Sequence, residues 1–502
     1  MQHFHVRKMF HTLLRTSTLT LLVMLSLGFL ATPVGAASQS THQTPVFSTA
    51  GQGSVVPRKV STFTTPQVGA TGHGGTVGNL PAPGGRANVP SPQNVVRVPA
   101  PVNADLTTNT KFEGQKENGW QPPDSNGAGG LNNYLETVNE QWEVYSRSGT
   151  KQFGTTFTSW FGKPTGTNIF DPVTQWDKSG KRFMFIVDTG SSLLLSVAQQ
   201  TSGVGSYCNY TFTTPSGDFA DFEKLGVDVD GVYFSVNLYS GNTFVSNELF
   251  FANRTQLETC ATTSFTFWTG LKNPDGSVAF AIVPARQDSA SAGIEYMVNS
   301  FPGGACQLTL WKLTSSKVLS NKTVGTQCYS PPPAAKQKGS AGRIDAGDNR
   351  LYQANFLKGL LTLDTVGSHD WGDGNGPVGI VEWFVLNASA GTVNSQGSFG
   401  TPGFWLFYPA TILNSAGNKL FVYDASGPSI DPSIWYVNQT LSGTLALASG
   451  ASFYGTSGTA RWGDYSSAWL DPVSTSSNSI WITSQYAKGT NLWGTKVGRV
   501  TP

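Results

Sequence analysis

Short runs of β-branched and aromatic residues recur from residue 134 onward, in alternating or continuous patterns that are typical of β-strands. Glycine, asparagine, aspartate and proline separate the runs, and these residues favour tight turns. No stretch of a dozen residues shows a helical period of apolar positions. The clearest runs are 134–138, 182–187, 232–239, 307–313, 379–386, 419–423 and 479–486. The pattern therefore predicts an all-β protein.

Many of these runs form pairs in which a strand, a tight turn and a second strand follow one another, as in a β-hairpin. In one example, 171–177 leads through Ser179-Gly180 into a strand that starts at Arg182. The pairs recur roughly every 50 to 70 residues, a spacing in the range of propeller blades with inserted loops. This predicts a single β-propeller of six or seven blades over 105–502. Tandem β-sandwiches are the alternative, and 331–338 is their only candidate linker.

The first 36 residues have the pattern of a secretory signal peptide. Arg7, Lys8 and Arg15 precede an apolar run over 19–30, and Val34-Gly35-Ala36 fits the rule of small residues at a cleavage site. The run is too short for a confident membrane span, so an uncleaved anchor is the weaker alternative. We expect a secreted, extracellular protein without a membrane span in its mature form.

Residues 37–104 differ in composition from everything that follows. They contain no acidic residue and no tryptophan, and their four cations are Arg58, Lys59, Arg86 and Arg97. A segment of glycine, proline, serine and threonine buries too little apolar surface to offset the entropy of ordering it. We therefore predict a disordered linker, with a propeptide as the alternative.

The rest of the chain is mildly acidic. Seven of the 32 Lys and Arg residues precede Asp105, and all 30 Asp and Glu residues lie at or after it. The remaining 25 Lys and Arg residues therefore leave this part with a net charge of −5. This balance argues against a nucleic-acid partner, because nucleic-acid-binding domains carry a surplus of positive charge. We expect a monomer whose partner is an extracellular glycan or protein ligand.

Four cysteines lie in the predicted propeller, and an even number in an exported chain indicates two disulfides. Among the three connectivities we favour pairing of sequence neighbours, Cys208 with Cys260 and Cys306 with Cys328. A zinc site is disfavoured, because no cysteines have metal-site spacing and His369 is the only histidine after residue 104.

Several short motifs resemble a family of exported bacterial proteins that are propeller-like and largely uncharacterised. The similarity covers roughly 120–500, and the family's aromatic strand differs here at Glu382. The resemblance implies a propeller fold and carries no activity. Its motifs are Pro122-Pro123-Asp124-Ser125-Asn126-Gly127, Asn132-Asn133-Tyr134, Phe170-Asp171-Pro172, Lys224-Leu225-Gly226-Val227 and, most specific, Arg461-Trp462-Gly463-Asp464-Tyr465-Ser466-Ser467 with Asp471-Pro472.

Two motifs suggest hydrolases. An apolar strand that runs into Asp188-Thr189-Gly190 is similar to the active-site loop of an aspartic protease. That chemistry needs two carboxylates that share a proton, and the chain has no second such loop. A Ser-His-Asp triad would have to use His369, which no nucleophile elbow accompanies. We therefore interpret the first motif as a β-turn between two strands of one blade.

An acidic, glycine-rich loop near His369 offers oxygen ligands. Asp370, Asp373 and Asn375 could bind Ca²⁺, although their spacing is not that of an EF-hand. A solvated hairpin loop is the competing interpretation. No other cofactor is predicted.

A more informative set is distributed along the chain. Asp124, Asp171, Asp221, Asp345 and Asp464 each lie near the start of a predicted blade, where the innermost strands of a propeller line its central channel. If they converge, Asp171, Asp221, Asp345 and Asp464 could act as acid and base or nucleophile in glycoside cleavage. The alternative is that each one caps a turn.

Neighbouring residues complete the candidate site. Lys224 and Arg461 are cations that could neutralise Asp221 and Asp464, and Trp462 could stack on a sugar ring. With Asp124 they form the predicted ligand-binding set. Two functions follow: a secreted scaffold that binds a ligand or glycan, and, as the alternative, a glycoside hydrolase or lyase that uses carboxylates at the channel. The sequence leaves open whether the protein is an enzyme.

Overall fold

The computed structural model describes residues 46–67, 74–76, 80–84, 89–101, 108–214, 216–291, 293–473 and 478–502. The predicted signal peptide lies outside these ranges. Within them, no helix has the length and apolar character needed to cross a membrane. The two helices are single turns, and all other regular structure is β, as the hydrophobic pattern predicts.

The first part of the described chain contributes strands to sheets that later residues build. These strands are β1 (Val46–Phe47), β2 (Gly51–Val55), β3 (Arg58–Ser61), β4 (Gly75–Thr76), β5 (Val95–Arg97), β6 (Thr108–Lys116) and β7 (Trp120–Gln121).

The first three sheets are antiparallel meanders of four consecutive strands, here called units 1 to 3. Unit 1 contains β8 (Asn126–Gly129), β9 (Asn133–Val138), β10 (Gln141–Ser146) and β11 (Lys151–Thr156), and α1 (Phe157–Phe161) follows it. Unit 2 contains β12 (Phe170–Asp177), β13 (Arg182–Asp188), β14 (Ser192–Ala198) and β15 (Ser206–Thr213). Unit 3 contains β16 (Phe219–Val227), β17 (Gly231–Ser240), β18 (Thr243–Asn253) and β19 (Thr263–Trp268), with α2 (Arg254–Glu258) before β19.

Units 4 and 5 repeat the meander. Two short strands, β21 (Arg286–Gln287) and β25 (Arg343–Ile344), lie between the strands of these units in sequence. Unit 4 contains β20 (Val283–Pro284), then, after the bridging strand β21 (Arg286–Gln287), β22 (Ile294–Asn299), β23 (Ala305–Thr314) and β24 (Leu319–Tyr329). After β25 (Arg343–Ile344), unit 5 contains β26 (Ala354–Leu357), β27 (Leu360–His369), β28 (Val378–Asn387) and β29 (Thr392–Gly400).

The last two units complete the series. Unit 6 contains β30 (Trp405–Leu413), β31 (Lys419–Gly427), β32 (Ile430–Asn438) and β33 (Leu445–Ala448), and β34 (Thr459–Ala460) follows and pairs with β25. Unit 7 contains β35 (Ser467–Leu470), β36 (Ile480–Gly489) and β37 (Leu492–Val500), with β6 as its outer strand. The described part of the chain thus contains seven units, each of four main strands that pair with one another.

The first strands of successive units contact one another, except that β21 and β22 make the contact with β26 between units 4 and 5, and the first strand of unit 7, β35, contacts the first strand of unit 1, β8. This closed ring confirms the predicted β-propeller. Because β6 precedes unit 1 in sequence but pairs with β37 at the end of the chain, the two ends of the propeller are joined within one sheet. Such closure protects the ring at the point where it could open.

Tight packing between units explains why tryptophan and glycine are abundant together. Trp481 of unit 7 lies directly against Gly129 of unit 1, where no side chain would fit. Inside unit 1 the ring of Trp142 meets Trp160 edge-on, with centroids 4.7 Å apart. Aromatic rings thus fill the spaces between neighbouring sheets, which is how a propeller buries its core.

The prediction of a disordered linker over 37–104 is wrong for much of its described part. β1, β2, β3 and β5 pair with the outer strands of units 4, 3, 2 and 5, respectively. The segment therefore runs along the outside of the propeller and extends sheet edges. Composition gave no hint of this, because edge pairing uses backbone hydrogen bonds and needs little apolar side-chain surface.

The predicted disulfides, Cys208–Cys260 and Cys306–Cys328, both form. The first links unit 2 to the turn between α2 and β19, and the second joins the two outer strands of unit 4. Both lie away from the axis, so they brace the periphery of the ring.

Candidate functional site

The five aspartates that the sequence singled out come together at one end of the central channel. Asp171 and Asp221 lie in the first strands of units 2 and 3, and the other three lie in the loops that enter units 1, 5 and 7. The backbone N–H of Asp464 donates to Asp124 Oδ1 at 2.7 Å. Asp221 is buried, and after burial the charge of Asp171 is the strongest influence that raises its pKa. The structure thus favours convergence over the alternative that the five aspartates lie in separate turns.

A repeated backbone distortion turns the first strands toward the axis. Asp171, Phe222 and Tyr408 have φ angles of 52°, 59° and 45°. Each lies at a shift in register between the first and second strands of its unit, which is the geometry of a β-bulge. A left-handed conformation is strained for residues with side chains, and such strain is concentrated at functional sites.

Side chains from the preceding unit hold these distortions in place. Asn139 of unit 1 accepts a hydrogen bond from the backbone N–H of Asp171 in unit 2, at 2.8 Å. Asn237 of unit 3 accepts one in the same way from Ala281, which leads into unit 4, at 2.9 Å. Both asparagines are buried. The geometry at the axis is therefore fixed between units as well as within them.

Two arginines at this end of the channel form close ion pairs. Arg461 donates to both oxygens of Asp464, at 3.1 and 2.6 Å, and to Asp345 at 3.0 Å. Arg350 donates to both oxygens of Asp348, at 2.9 and 2.7 Å. Burial opposes the ionisation of Asp464, but Arg461 outweighs it and lowers the pKa of this carboxyl. The predicted pairing of Arg461 with Asp464 is present.

Asp171 is nearly inaccessible, with 1% of its surface exposed. The hydroxyl of Tyr465 donates to its Oδ2 at 3.0 Å, and the backbone N–H of Phe222 donates to the same atom at 3.2 Å. Its Oδ1 has no hydrogen-bond partner among the described residues. Burial, followed by the charge of Asp464, raises the pKa of Asp171. The pKa of Asp171 is therefore raised, while the pKa of Asp464 is lowered.

Lys224 lies on the inner side of this cluster. Its ammonium group is 3.5 Å from the ring centroid of Phe222 and 3.8 Å from that of Tyr465. It makes no hydrogen bond among the described residues. Burial lowers the pKa of Lys224 to about 7, although the nearby Asp171 opposes the shift. The predicted partner of Lys224 was Asp221, but two aromatic faces hold the cation instead.

Four of the charged residues at this end of the channel line a small cavity, here called the axial pocket. Its volume is about 210 Å³. A separate gap of about 20 Å³ lies beside Lys224 and is also lined by Tyr352 and Tyr465. The axial pocket is lined by Asp348, Arg350, Tyr352, Tyr408, Arg461 and Asp464, together with Pro81 and Ala82 from the N-terminal segment.

The prediction that Trp462 binds a ligand is wrong. Its side chain is fully buried, and its Nε1 donates to Asp424 Oδ2 at 2.7 Å. Tyr454 packs edge-on against the ring at a centroid distance of 5.1 Å. The indole therefore belongs to the core and cannot stack on a sugar.

Asp188-Thr189-Gly190 forms the tight turn between β13 and β14. The Gly190 N–H donates to Asp188 Oδ1 at 2.6 Å, and the Thr189 N–H donates to the carbonyl of Ser192 at 3.1 Å. Gly190 has a φ of 77°, which glycine adopts without strain. The motif is thus a hairpin turn, as the alternative to a protease predicted.

The predicted calcium ligands lie in the exposed loop between β27 and β28. Asp370 accepts from the backbone N–H of Gly372, and Asp373 accepts from that of Asn375, as in turns capped by their own side chains. Among the described residues, no three acidic, histidine or cysteine side chains are grouped so as to hold a metal ion. Calcium binding by this loop stays a prediction.

Several residues of the site were missed from the sequence. They are Asp348, Arg350, Tyr352 and Tyr408, none of which the sequence pattern singles out. A signal was present in Asp345-Ala346-Gly347-Asp348, which places two acids three residues apart at the entrance of one blade. Tyr408 gave no such signal, because its role depends on a left-handed bulge inside an ordinary apolar strand.

No family model and no curated protein matches this chain. Solved structures give distant likenesses. The endo-arabinase of Bacteroides thetaiotaomicron VPI-5482 is 11% identical with a TM-score of 0.31, over 53% of this chain and 92% of that one. Semaphorin 1a of Drosophila is 7% identical with a TM-score of 0.35, over 79% and 88%.

A third structure, the α-L-arabinofuranosidase of Lactobacillus brevis, is 12% identical with a TM-score of 0.30, over 58% of this chain and 93% of that one. Scores of this size assign neither fold nor function. The propeller assignment therefore rests on the strand pairings of this chain, and the function must be inferred from its axial pocket.

Proposed function

We propose that this protein is an exported propeller that binds a glycan in the axial pocket. The observation that carries the proposal is that two arginine–aspartate pairs from separate units, Arg461 with Asp464 and Arg350 with Asp348, line one small cavity beside the cluster of five aspartates. The arginines present N–H donors, and the carboxylates present acceptors for sugar hydroxyls. At about 210 Å³ the cavity is below the usual range for drug-sized ligands and fits about one sugar residue.

The rigid setting of these groups supports binding. Strained bulges and hydrogen bonds between units fix the positions of Asp171 and Asp464 before any ligand arrives. A ligand then gains its hydrogen bonds without an entropic cost for ordering the site. Export through the predicted signal peptide fits this proposal, since both disulfides would persist outside the cell.

A second candidate is glycoside cleavage. It is favoured by the opposite shifts at Asp171, whose pKa is raised, and Asp464, whose pKa is lowered. A pair of carboxyl groups in different protonation states is what acid and nucleophile or base require. Binding remains the first proposal, because Asp171 lies behind Tyr465 and only 1% of its surface is exposed.

A glycan array probed with the wild type, Asp464→Asn and Asp171→Asn tests both candidates. We expect Asp464→Asn to lose binding, because the amide weakens the contact with Arg461 and removes an acceptor from the pocket. Asp373→Asn, in the exposed loop, is the matched control and should bind as the wild type does. Thermal melting checks that each variant is folded.

Product analysis on the glycans that bind separates the candidates. Release of sugar by the wild type, with binding but no release by Asp171→Asn, would support cleavage. Binding without release by the wild type supports a scaffold. Equal binding by the wild type and a folded Asp464→Asn would show that the axial pocket is not the site.

A further inference from the structure

A short part of the N-terminal segment crosses the mouth of the axial pocket. Residues 80–84, here called the cover segment, belong to no strand. Leu80 and Ala82 pack against an apolar collar beside the axis. The collar consists of Phe222, Tyr239, Phe280, Ala281 and Tyr465. Two of these residues are thus neighbours of the charged cluster, since Phe222 and Tyr465 enclose Lys224 and Tyr465 binds Asp171.

A second cavity lies on the other side of the cover segment. Its volume is about 430 Å³, and its lining includes Trp120, Phe170 and Phe219. Leu80 forms part of the wall of this cavity, and Pro81 and Ala82 form part of the wall of the axial pocket. The cover segment is therefore a partition between two adjoining depressions on one face of the propeller.

The second cavity has the character of a sugar subsite. Phe170 and Phe219 stack with centroids 6.0 Å apart and planes inclined by 12°. Phe219 is 42% exposed, so part of its ring is open to a ligand. Asn168 and Asn242 lie beside the rings and supply amide donors and acceptors. An apolar face with polar groups at its rim suits a sugar ring, because the ring also has an apolar face and carries hydroxyl groups around its edge.

Paired strands lie on either side of the cover segment in sequence. β4 pairs with β7 before it, and β5 pairs with β29 after it. At the pocket itself its anchors are the side chains of Leu80 and Ala82. These anchors are small, because burying one leucine side chain contributes modestly to stability and burying an alanine contributes less. A ligand that buries more of the collar than these two side chains do could displace them.

We infer that the cover segment divides one elongated glycan-binding groove, which runs from Phe219 to Asp464 and opens when residues 80–84 leave the collar. The inference rests on the proposed function and adds a ligand class, a linear oligosaccharide, and a means of regulation. With the segment in place, the axial pocket admits about one sugar residue. With the segment displaced, both cavities accept successive residues of one chain.

The test uses the full chain with Leu80→Asn and Ala82→Asn combined, which replaces both anchors without changing charge. Val56→Asn is the matched control. Val56 lies outside the cover segment, in the same N-terminal part of the chain, and is 74% exposed. Hydroxyl-radical footprinting measures the exposure of Phe222, Phe280 and Tyr465. We expect labelling of these rings to rise in the double variant and to stay unchanged in the control.

Binding is then measured on an array that carries monosaccharides and the matching linear oligosaccharides. We expect about tenfold tighter binding of oligosaccharides by the double variant, because a larger fraction of the protein is open to them. Unchanged labelling of the collar would overturn the inference whatever the array shows. Raised labelling with equal oligosaccharide affinity would also overturn it, since the segment would then not obstruct the groove. Raised labelling without binding of any glycan would refute both the proposed glycan function and the groove. It would still show that the cover segment shields the collar.

Discussion

The two ends of the central channel hold cavities of similar size but opposite character. The axial pocket has a volume of about 210 Å³, and the cavity at the other end has about 240 Å³. At that other end, here called the distal mouth, Asp288 pairs with Arg286 at 2.8 Å and accepts from Asn355 at 2.6 Å. At the axial end, Asp171 Oδ1 and Lys224 Nζ are buried without a hydrogen-bond partner among the described residues.

The difference shows that volume does not identify the site. At the distal mouth the carboxylates are paired in the way that stabilises a fold. At the axial end the acids are crowded, their protonation is shifted, and the backbone is strained at Asp171 and Phe222. Crowded acids and a strained backbone lower the stability of the fold. Their concentration at the axial end indicates that this end was selected for function.

The largest effect that sharpens this comparison is expected at the distal mouth. Asp288→Ala leaves Arg286 as a buried charge without its partner, and we expect a loss of about 3–5 kcal/mol in the free energy of unfolding. Urea denaturation measures it. Asp373→Ala, in the exposed loop, should leave the free energy of unfolding nearly unchanged. A loss at Asp288 no larger than at Asp373 would remove the structural role assigned to this pair.

A second effect concerns pH at the axial end. Burial raises the pKa of Asp188, which neighbours the cluster, to about 8. The folded protein then keeps a proton that the unfolded chain releases near pH 4, so this stabilisation is full at low pH and is lost as pH rises to about 8.

Asp188→Asn should remove that dependence. The amide oxygen can still accept the hydrogen bond from Gly190, while the titrating proton is gone. We expect the decline in stability between pH 4 and 8 to become shallower by several kcal/mol, measured by urea denaturation at a series of pH values. Parallel profiles of variant and wild type would contradict the raised pKa.

The smallest effect is expected at the rim of the proposed groove. Phe219→Ala removes a partly exposed ring, so stability should change little, while oligosaccharide binding should weaken by about 0.5–1.5 kcal/mol. Calorimetric titration measures the affinity, and a monosaccharide serves as the control ligand. If both ligands weaken equally, the ring supports the axial pocket and does not form a second subsite.

The sequence predicted the hairpin repeat and the propeller, and it raised the gathering of the five aspartates as one of two alternatives. These follow from local patterns, because strand period, turn residues and the position of an acid at each blade entrance recur along the chain. Trp462 was misassigned because a tryptophan on or beside a strand gives no sign of which way it faces. Its hydrogen bond to Asp424, 38 residues away, exists only in the folded ring.

The N-terminal strands escaped prediction for a different reason. β2 and β3 are polar or glycine-rich, and they gain order from the free edges of units 3 and 2. Such pairing depends on a partner sheet and leaves no period in the strand's own sequence. The same holds for the cover segment, whose position depends on a collar assembled from residues 222–465.

The central claim is that the axial pocket binds the ligand. Titration of one glycan selected on the array against Asp464→Asn and, as the control at the distal mouth, Lys178→Met tests it most directly. We predict that Asp464→Asn weakens binding by about 2 kcal/mol, a factor of about 30, and that Lys178→Met binds as the wild type does. Undiminished binding by a folded Asp464→Asn, or loss in Lys178→Met alone, would contradict the account.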